Sequence, residues 1–138
     1  MQRIHIHVGV EDLDQGIKFY QTLFGAEPVK VKEDYAKWSL EDPKLNFAIS
    51  TRVSPGVDHL GIETEEESGL QKLRGRLQQA EVTRYDEGET QCCYARSEKT
   101  WITDPGGVAW ETFHTMEDIQ VFGDEAVITQ PELSSCCA

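Results

Sequence analysis

A strand followed by an amphipathic helix occurs twice in this chain, and that repetition restricts it to folds assembled from two like modules. In the first copy, RIHIHVGV alternates strictly, with His5, His7 and Gly9 on one face and Ile4, Ile6, Val8 and Val10 on the other, the pattern of a strand. Asp12 reads as an N-cap with Gln15 three residues on. Leu13, Ile17, Tyr20 and Phe24 then fall at helical spacing until Gly25 closes the segment. Short strands are expected over Glu27–Lys32, Tyr35–Leu40 and Lys44–Thr51, separated by EDY and EDP. From Val57 the pattern restarts. DHLGIET is a strand, and SGLQKLRGRLQQAE is a helix expected to bury Leu70, Leu73, Leu77 and Ala80. Gly16-Ile17 begins eleven residues after His5 and Gly69-Leu70 ten after His59, so the two halves also keep step in spacing. The turn formers of YDEGET suggest a loop leading to Cys92 and Cys93. A strand over Lys99–Thr103, a tight DPGG turn and a closing strand over Val108–Thr115 complete the second copy.

The expected fold class is therefore α+β, two βαβββ modules over about residues 1–52 and 57–115 forming one domain, 1–115, with a cup between them. Whether the modules pair within one chain or across a homodimer is left open by the pattern. No Lys or Arg follows Lys99, so residues 116–138 read as an acidic, mobile tail.

Charge narrows the partners. Thirteen basic against twenty-five acidic residues give a formal charge of -12, which repels nucleic acid and anionic membranes and points to a small-molecule substrate. The N-terminal residues carry no apolar signal segment, and no run is long enough to span a bilayer, so the expected location is cytoplasmic. In that compartment the four cysteines are expected as reduced thiols rather than a disulfide framework.

His5, His59 and Glu111 suit a facial triad, in which two imidazoles and one carboxylate hold a divalent metal and leave adjacent positions open. Singly, a strand histidine is more often a packed residue than a ligand. The matching places of His5 and His59 in the two copies, and of Glu111 on the closing strand, tip that balance. Adjacent residues of a strand face opposite ways, so Cys92 and Cys93 share one bound atom only where the backbone leaves the extended form. A trivalent thiophilic centre such as arsenic is the kind of atom two thiolates chelate. Packed inert thiols and a redox pair are the alternatives.

The segments HIHVGVEDLDQGIKFYQTLFG, VDHLGIE and WITDPGGVAWETF resemble, in order and spacing, the vicinal oxygen chelate superfamily of glyoxalases, extradiol dioxygenases and fosfomycin resistance proteins, over about residues 3–115. The resemblance implies paired βαβββ modules with a divalent metal in the cup. Its spacing selects His5 over His7 as first ligand, with His59 and Glu111 as the others. His7 and Glu63 are then expected beside the ligands, and His114 facing away. Glyoxalase-type members add a ligand from the last strand of the first module, but KLNFAIST offers no Glu, His or Asp. Three ligands favour an iron redox site or a thiol transferase.

TQCCYARSEKTWITDPGG resembles more narrowly the carbon–arsenic lyase group, which includes cadmium-induced and arsenic-resistance proteins. That resemblance implies capture of a trivalent organoarsenical by Cys92 and Cys93 beside Fe(II), with dioxygen as co-substrate. The chain departs from some members, which carry Gln where His5 stands. Cys136 and Cys137 are read as a capture pair that passes arsenicals inward by thiolate exchange, or as incidental tail thiols. Sequestration of cadmium or arsenite without turnover is the alternative from another class, and thiol transfer the alternative among enzymes.

Overall fold

The computed structural model of the chain describes residues 1–92 and 95–118, the side chains of 85–92, 95–98 and 116–118 excepted. The elements run β1 (Gln2–Gly9), α1 (Leu13–Phe24), β2 (Lys30–Lys32), β3 (Tyr35–Glu41), β4 (Lys44–Ser50), β5 (Gly56–Thr64), α2 (Glu67–Gln79), β6 (Arg84–Cys92), β7 (Ala95–Thr103) and β8 (Ala109–Asp118). The eight strands form one sheet in the order β2-β3-β4-β1-β5-β8-β7-β6. Each half repeats one topology, since β1 lies parallel to β4 and β5 parallel to β8. The halves join at the antiparallel β1–β5 pair.

Alternation sorts the residues of the first module into two faces. Ile6, Val8 and Val10 join Ala36, Trp38, Leu45, Phe47 and Ile49 under Leu13, Ile17, Tyr20 and Phe24 of α1. Tyr20 and Phe24 bracket Phe47 at ring-centroid distances of 4.5 and 5.0 Å. The Trp38 indole satisfies its buried N–H on the Ala26 carbonyl at 2.9 Å. The opposite face carries Arg3, His5 and His7, so the strand whose apolar side lies under a helix aims its imidazoles into the cup.

α1 begins and ends as expected. Asp12 accepts from the Gln15 N–H at 3.0 Å, and Gly25 closes the helix with a left-handed φ of 65° that a side chain would resist. Other boundaries differ. The strand expected over Glu27–Lys32 is only Lys30–Lys32, because Pro28 has no N–H for a ladder. The loop expected at Tyr85–Thr90 is strand: β6 pairs with β7 throughout, and a bulge between Asp86 and Gly88 takes up the extra residue. In α2 Leu70 and Leu73 are buried, but Leu77 is half-buried, and Ala80 lies past the last turn, exposed, as the C-cap.

No helix among the described residues is long and apolar enough to cross a membrane.

Candidate metal centre

Two registers bring the candidate ligands together. Across the antiparallel β1–β5 pair, His7 stands opposite His59 and His5 opposite Gly61, while the parallel β5–β8 pair sets Gly61 beside Glu111. His5, Gly61 and Glu111 thus form one row of the sheet, with His59 two residues from Gly61 on the same face. Gly61 has to lack a side chain, because a β-carbon there would overlap the Glu111 carbonyl oxygen and press on the His5 ring at 3.3 Å.

The donor atoms converge. His5 Nε2 and His59 Nε2 are 3.2 Å apart, and Glu111 Oε1 lies 4.0 Å from each. The point equidistant from the corners of this triangle lies about 2.2 Å from each atom, close to the length of a bond from nitrogen or oxygen to a first-row divalent metal.

Hydrogen bonding fixes which nitrogen of each ring faces that point. His5 Nδ1 lies 3.1 Å from the Asn46 carbonyl oxygen and 3.0 Å from its side-chain oxygen. His59 Nδ1 lies 2.8 Å from Asp58 Oδ2. Acceptors of this kind require Nδ1–H, so in the neutral rings both facing Nε2 atoms carry lone pairs. Two lone pairs 3.2 Å apart repel unless a cation lies between them, and acceptors behind each imidazole are the usual support of a metal-binding histidine. His5 is held well below the ordinary histidine range, first by burial and then by the charges of His59, His7 and Lys99, against the Asn46 hydrogen bond. A neutral imidazole is the ligating form. The donor set therefore fits a divalent metal.

Within the cup these residues are deeply buried: His5 and Glu111 are 0 % and His59 3 % exposed. Aromatic rings supply the cover, with Phe113 5.3 Å from His5, Trp101 5.1 Å from His59 and Tyr35 6.4 Å from His7. Glu111 has a buried partner as well: Lys99 Nζ donates to its Oε2 at 3.0 Å.

His7 is brought into the same cluster. Its ring centroid is 5.1 Å from that of His59, and one donor nitrogen from each of His5, His7 and His59 fits within a span of 4.8 Å. The third donor could thus be an imidazole rather than a carboxylate. Glu111 is the better choice because its oxygen is equidistant from both Nε2 atoms and its charge offsets that of a dication.

Glu63 shares the face of His59 but accepts from Thr115 Oγ1 at 3.2 Å and, with Arg3, Lys30 and Lys37, lines a separate polar cavity of about 370 Å³. His114 alternates away from Glu111 and contacts the Thr64 carbonyl at 3.4 Å. Cys92 is the last residue of β6, across from Ala95. Cys93, Cys136 and Cys137 lie outside the described residues.

Asn46, Asp58, Gly61 and Lys99 were not foreseen. Asn46 had a visible signal, being the one amide in an otherwise apolar run, LNFAI.

Residues 3–112 match the Glyoxalase/Bleomycin resistance protein/Dioxygenase superfamily. A trivalent organoarsenical cleaving enzyme of Bacillus sp. (strain MD1) is 40% identical over 147 residues, covering 100% of this chain and 91% of that protein. A cadmium-induced protein of Mycobacterium bovis is 34% identical over 142 residues, covering 99% of this chain and 93% of its own. Among solved structures, the Mn(II)-bound glyoxalase from Novosphingobium aromaticivorans superposes with a TM-score of 0.59 at 17% identity, over 92% of this chain and 45% of that one, a likeness of fold. The chain belongs to the glyoxalase/bleomycin resistance protein/dioxygenase superfamily and, within it, is closely related to the trivalent organoarsenical cleaving enzymes.

Proposed function

We propose that the protein cleaves the carbon–arsenic bond of trivalent organoarsenicals with dioxygen at ferrous iron held by His5, His59 and Glu111, releasing arsenite and an oxidised carbon fragment. The observation that carries this reading is the convergence of His5 Nε2, His59 Nε2 and Glu111 Oε1 on one point, in a chain 40% identical to a trivalent organoarsenical cleaving enzyme. Ferrous iron, when bound, supplies dioxygen binding and electron transfer, which zinc does not.

The chain's residues do the rest. Asn46 and Asp58 hold the two imidazoles in the ligating tautomer, and Trp101, Phe113 and Tyr35 keep water from their rings. Cys92 and Cys93 capture the substrate. Each thiol gives its proton to a hydroxyl on arsenic, water leaves and an As–S bond forms, so that two sulfurs hold the arsenic and its carbon substituent for reaction. The terminal pair Cys136 and Cys137 assists delivery by the same exchange and is not required once substrate is saturating.

The test is arsenite release from a trivalent methyl arsenical by iron-loaded protein in air, with bound iron measured on each variant. His59→Ala and Glu111→Gln are expected to lose both iron and turnover. Cys92→Ser and Cys93→Ser keep iron but lose turnover, and Cys136→Ser with Cys137→Ser retains turnover. Full turnover in the Cys92→Ser, Cys93→Ser double variant overturns the capture role. Iron retained in His59→Ala overturns the metal site.

A further inference from the structure

Lys99 is 1 % exposed and points into the candidate metal centre. β7 and β8 set Trp101 opposite Glu111 and Lys99 opposite Phe113, so the lysine reaches diagonally across the ladder to the carboxylate. Its ammonium lies 3.0 Å from Glu111 Oε2 and 5.9 Å from the centre of the Phe113 ring. The backbone beneath it is clamped from the helix side, where Arg74 of α2 donates to Thr100 Oγ1 at 2.7 Å and to the Lys99 carbonyl at 3.3 Å. A buried ammonium persists only beside a counter-charge, and this one has a fully buried carboxylate.

The contact divides the labour of that carboxylate. Oε2 goes to Lys99, and Oε1 stands 4.0 Å from both His5 and His59. We propose that Lys99 is a positioning residue that confines Glu111 to ligation through a single oxygen and, as a fixed positive charge beside the metal, weakens metal binding while favouring anionic ligands at the open positions. The proposal rests on the metal reading above.

Two physical effects follow from removing the lysine, and they share a sign. A carboxylate released from its ammonium can offer both oxygens, which occupies a further coordination position. The like-charge repulsion between ammonium and dication also disappears. Both changes tighten the hold on the metal and weaken an added anion. A lysine that merely filled space would give the reverse for the metal, because loosening the site scatters its ligands.

Cobalt(II) and azide titrations of the purified full chain read this directly. Lys99→Met and Lys99→Gln are expected to bind cobalt about tenfold or more tightly than wild type and, once loaded, to bind azide about tenfold or more weakly. Lys99→Arg keeps the charge and the contact, so both constants stay within about threefold of wild type. Lys99→Gln removes the charge with a polar side chain and carries the test if Lys99→Met does not yield folded protein. Cobalt affinity that is unchanged or weaker in a folded Lys99→Met or Lys99→Gln variant overturns the proposal. If His59→Ala loses cobalt while the neutral Lys99 variants match wild type, the metal reading stands and the role of Lys99 falls. If wild type takes up no cobalt, or His59→Ala takes it up equally well, both fall.

Discussion

The two modules share a topology and little else. The first is built on aromatic packing: α1 is capped at both ends, and Tyr20, Phe24, Trp38 and Phe47 fill the space between helix and sheet. The second has a more polar helix whose Glu66 N-cap makes no side-chain hydrogen bond and which packs through the aliphatic Leu70 and Leu73. Instead it carries the charges of the centre, Asp58, Lys99 and Glu111, and the clamp from Arg74. A duplicated fold can thus divide its tasks, one half supplying a rigid apolar body and the other the electrostatics. His5, the first module's imidazole at the centre, is backed by an amide, and His59, the second's, by a carboxylate.

The comparison breaks most visibly in the cores. Trp38→Ala is expected to cost about 3–5 kcal/mol, more than Leu73→Ala, which belongs at the lower end of the roughly 2–5 kcal/mol range for leucine truncations. Denaturant melts that rank the two equally, or reverse them, would show that the second module is held as firmly as the first.

A smaller effect distinguishes the helix caps. Asp12→Ala is expected to cost about 1 kcal/mol, whereas Glu66→Ala should lie within about 0.5 kcal/mol of wild type, because only the former removes a capping hydrogen bond. Thermal melts of the two variants side by side are sufficient. An equal loss at Glu66 would mean that the second helix is capped in solution.

The smallest effect is lost in acid. Asp104 is held below the ordinary carboxylate range, chiefly by the Val108 N–H and then by the Trp110 indole, and it also accepts from the Gly106 N–H. A depressed folded-state pKa contributes stability above the unfolded value of about 3.9 and loses it as pH falls through the folded value. The melting-temperature gap between wild type and Asp104→Asn should therefore be present at pH 6 and close below about pH 4. A gap that persists at pH 2.5 would show that charge at the DPGG turn is immaterial.

What sequence disclosed and what it withheld divide along the range of the interactions. α1 could be placed to the residue because its signals, Asp12, Gln15 and Gly25, are local. The face of β1 followed from alternation, and the nearness of His5, His59 and Glu111 from their places in the repeat together with the family resemblance, which preferred His5 to His7. Lys99 could not be read this way, since its inward direction depends on the β7–β8 register and its meaning on a carboxylate twelve residues away. Asp58 depends on the rotamer of its neighbour. Tyr85–Thr90 misled because turn-forming composition is a local signal, while strand pairing with a bulge is imposed by the partner strand. The depth of burial could not be foreseen because the aromatic cover comes from three strands, β3, β7 and β8.

The crossing between the halves has a kinetic consequence. Residues 51–55 pass from β4 over the end of β1 to β5, so closely that a β-carbon on Gly9 would overlap the Ser54 carbonyl oxygen. Five residues suffice to step across one intervening strand, a distance of roughly 10 Å. The second half therefore meets the first at the effective concentration of a short tether, on the order of millimolar. Pairing of the halves is then a first-order event. It proceeds at the same rate in a dilute cell extract as in a concentrated stock, and dilution does not draw His59 away from His5.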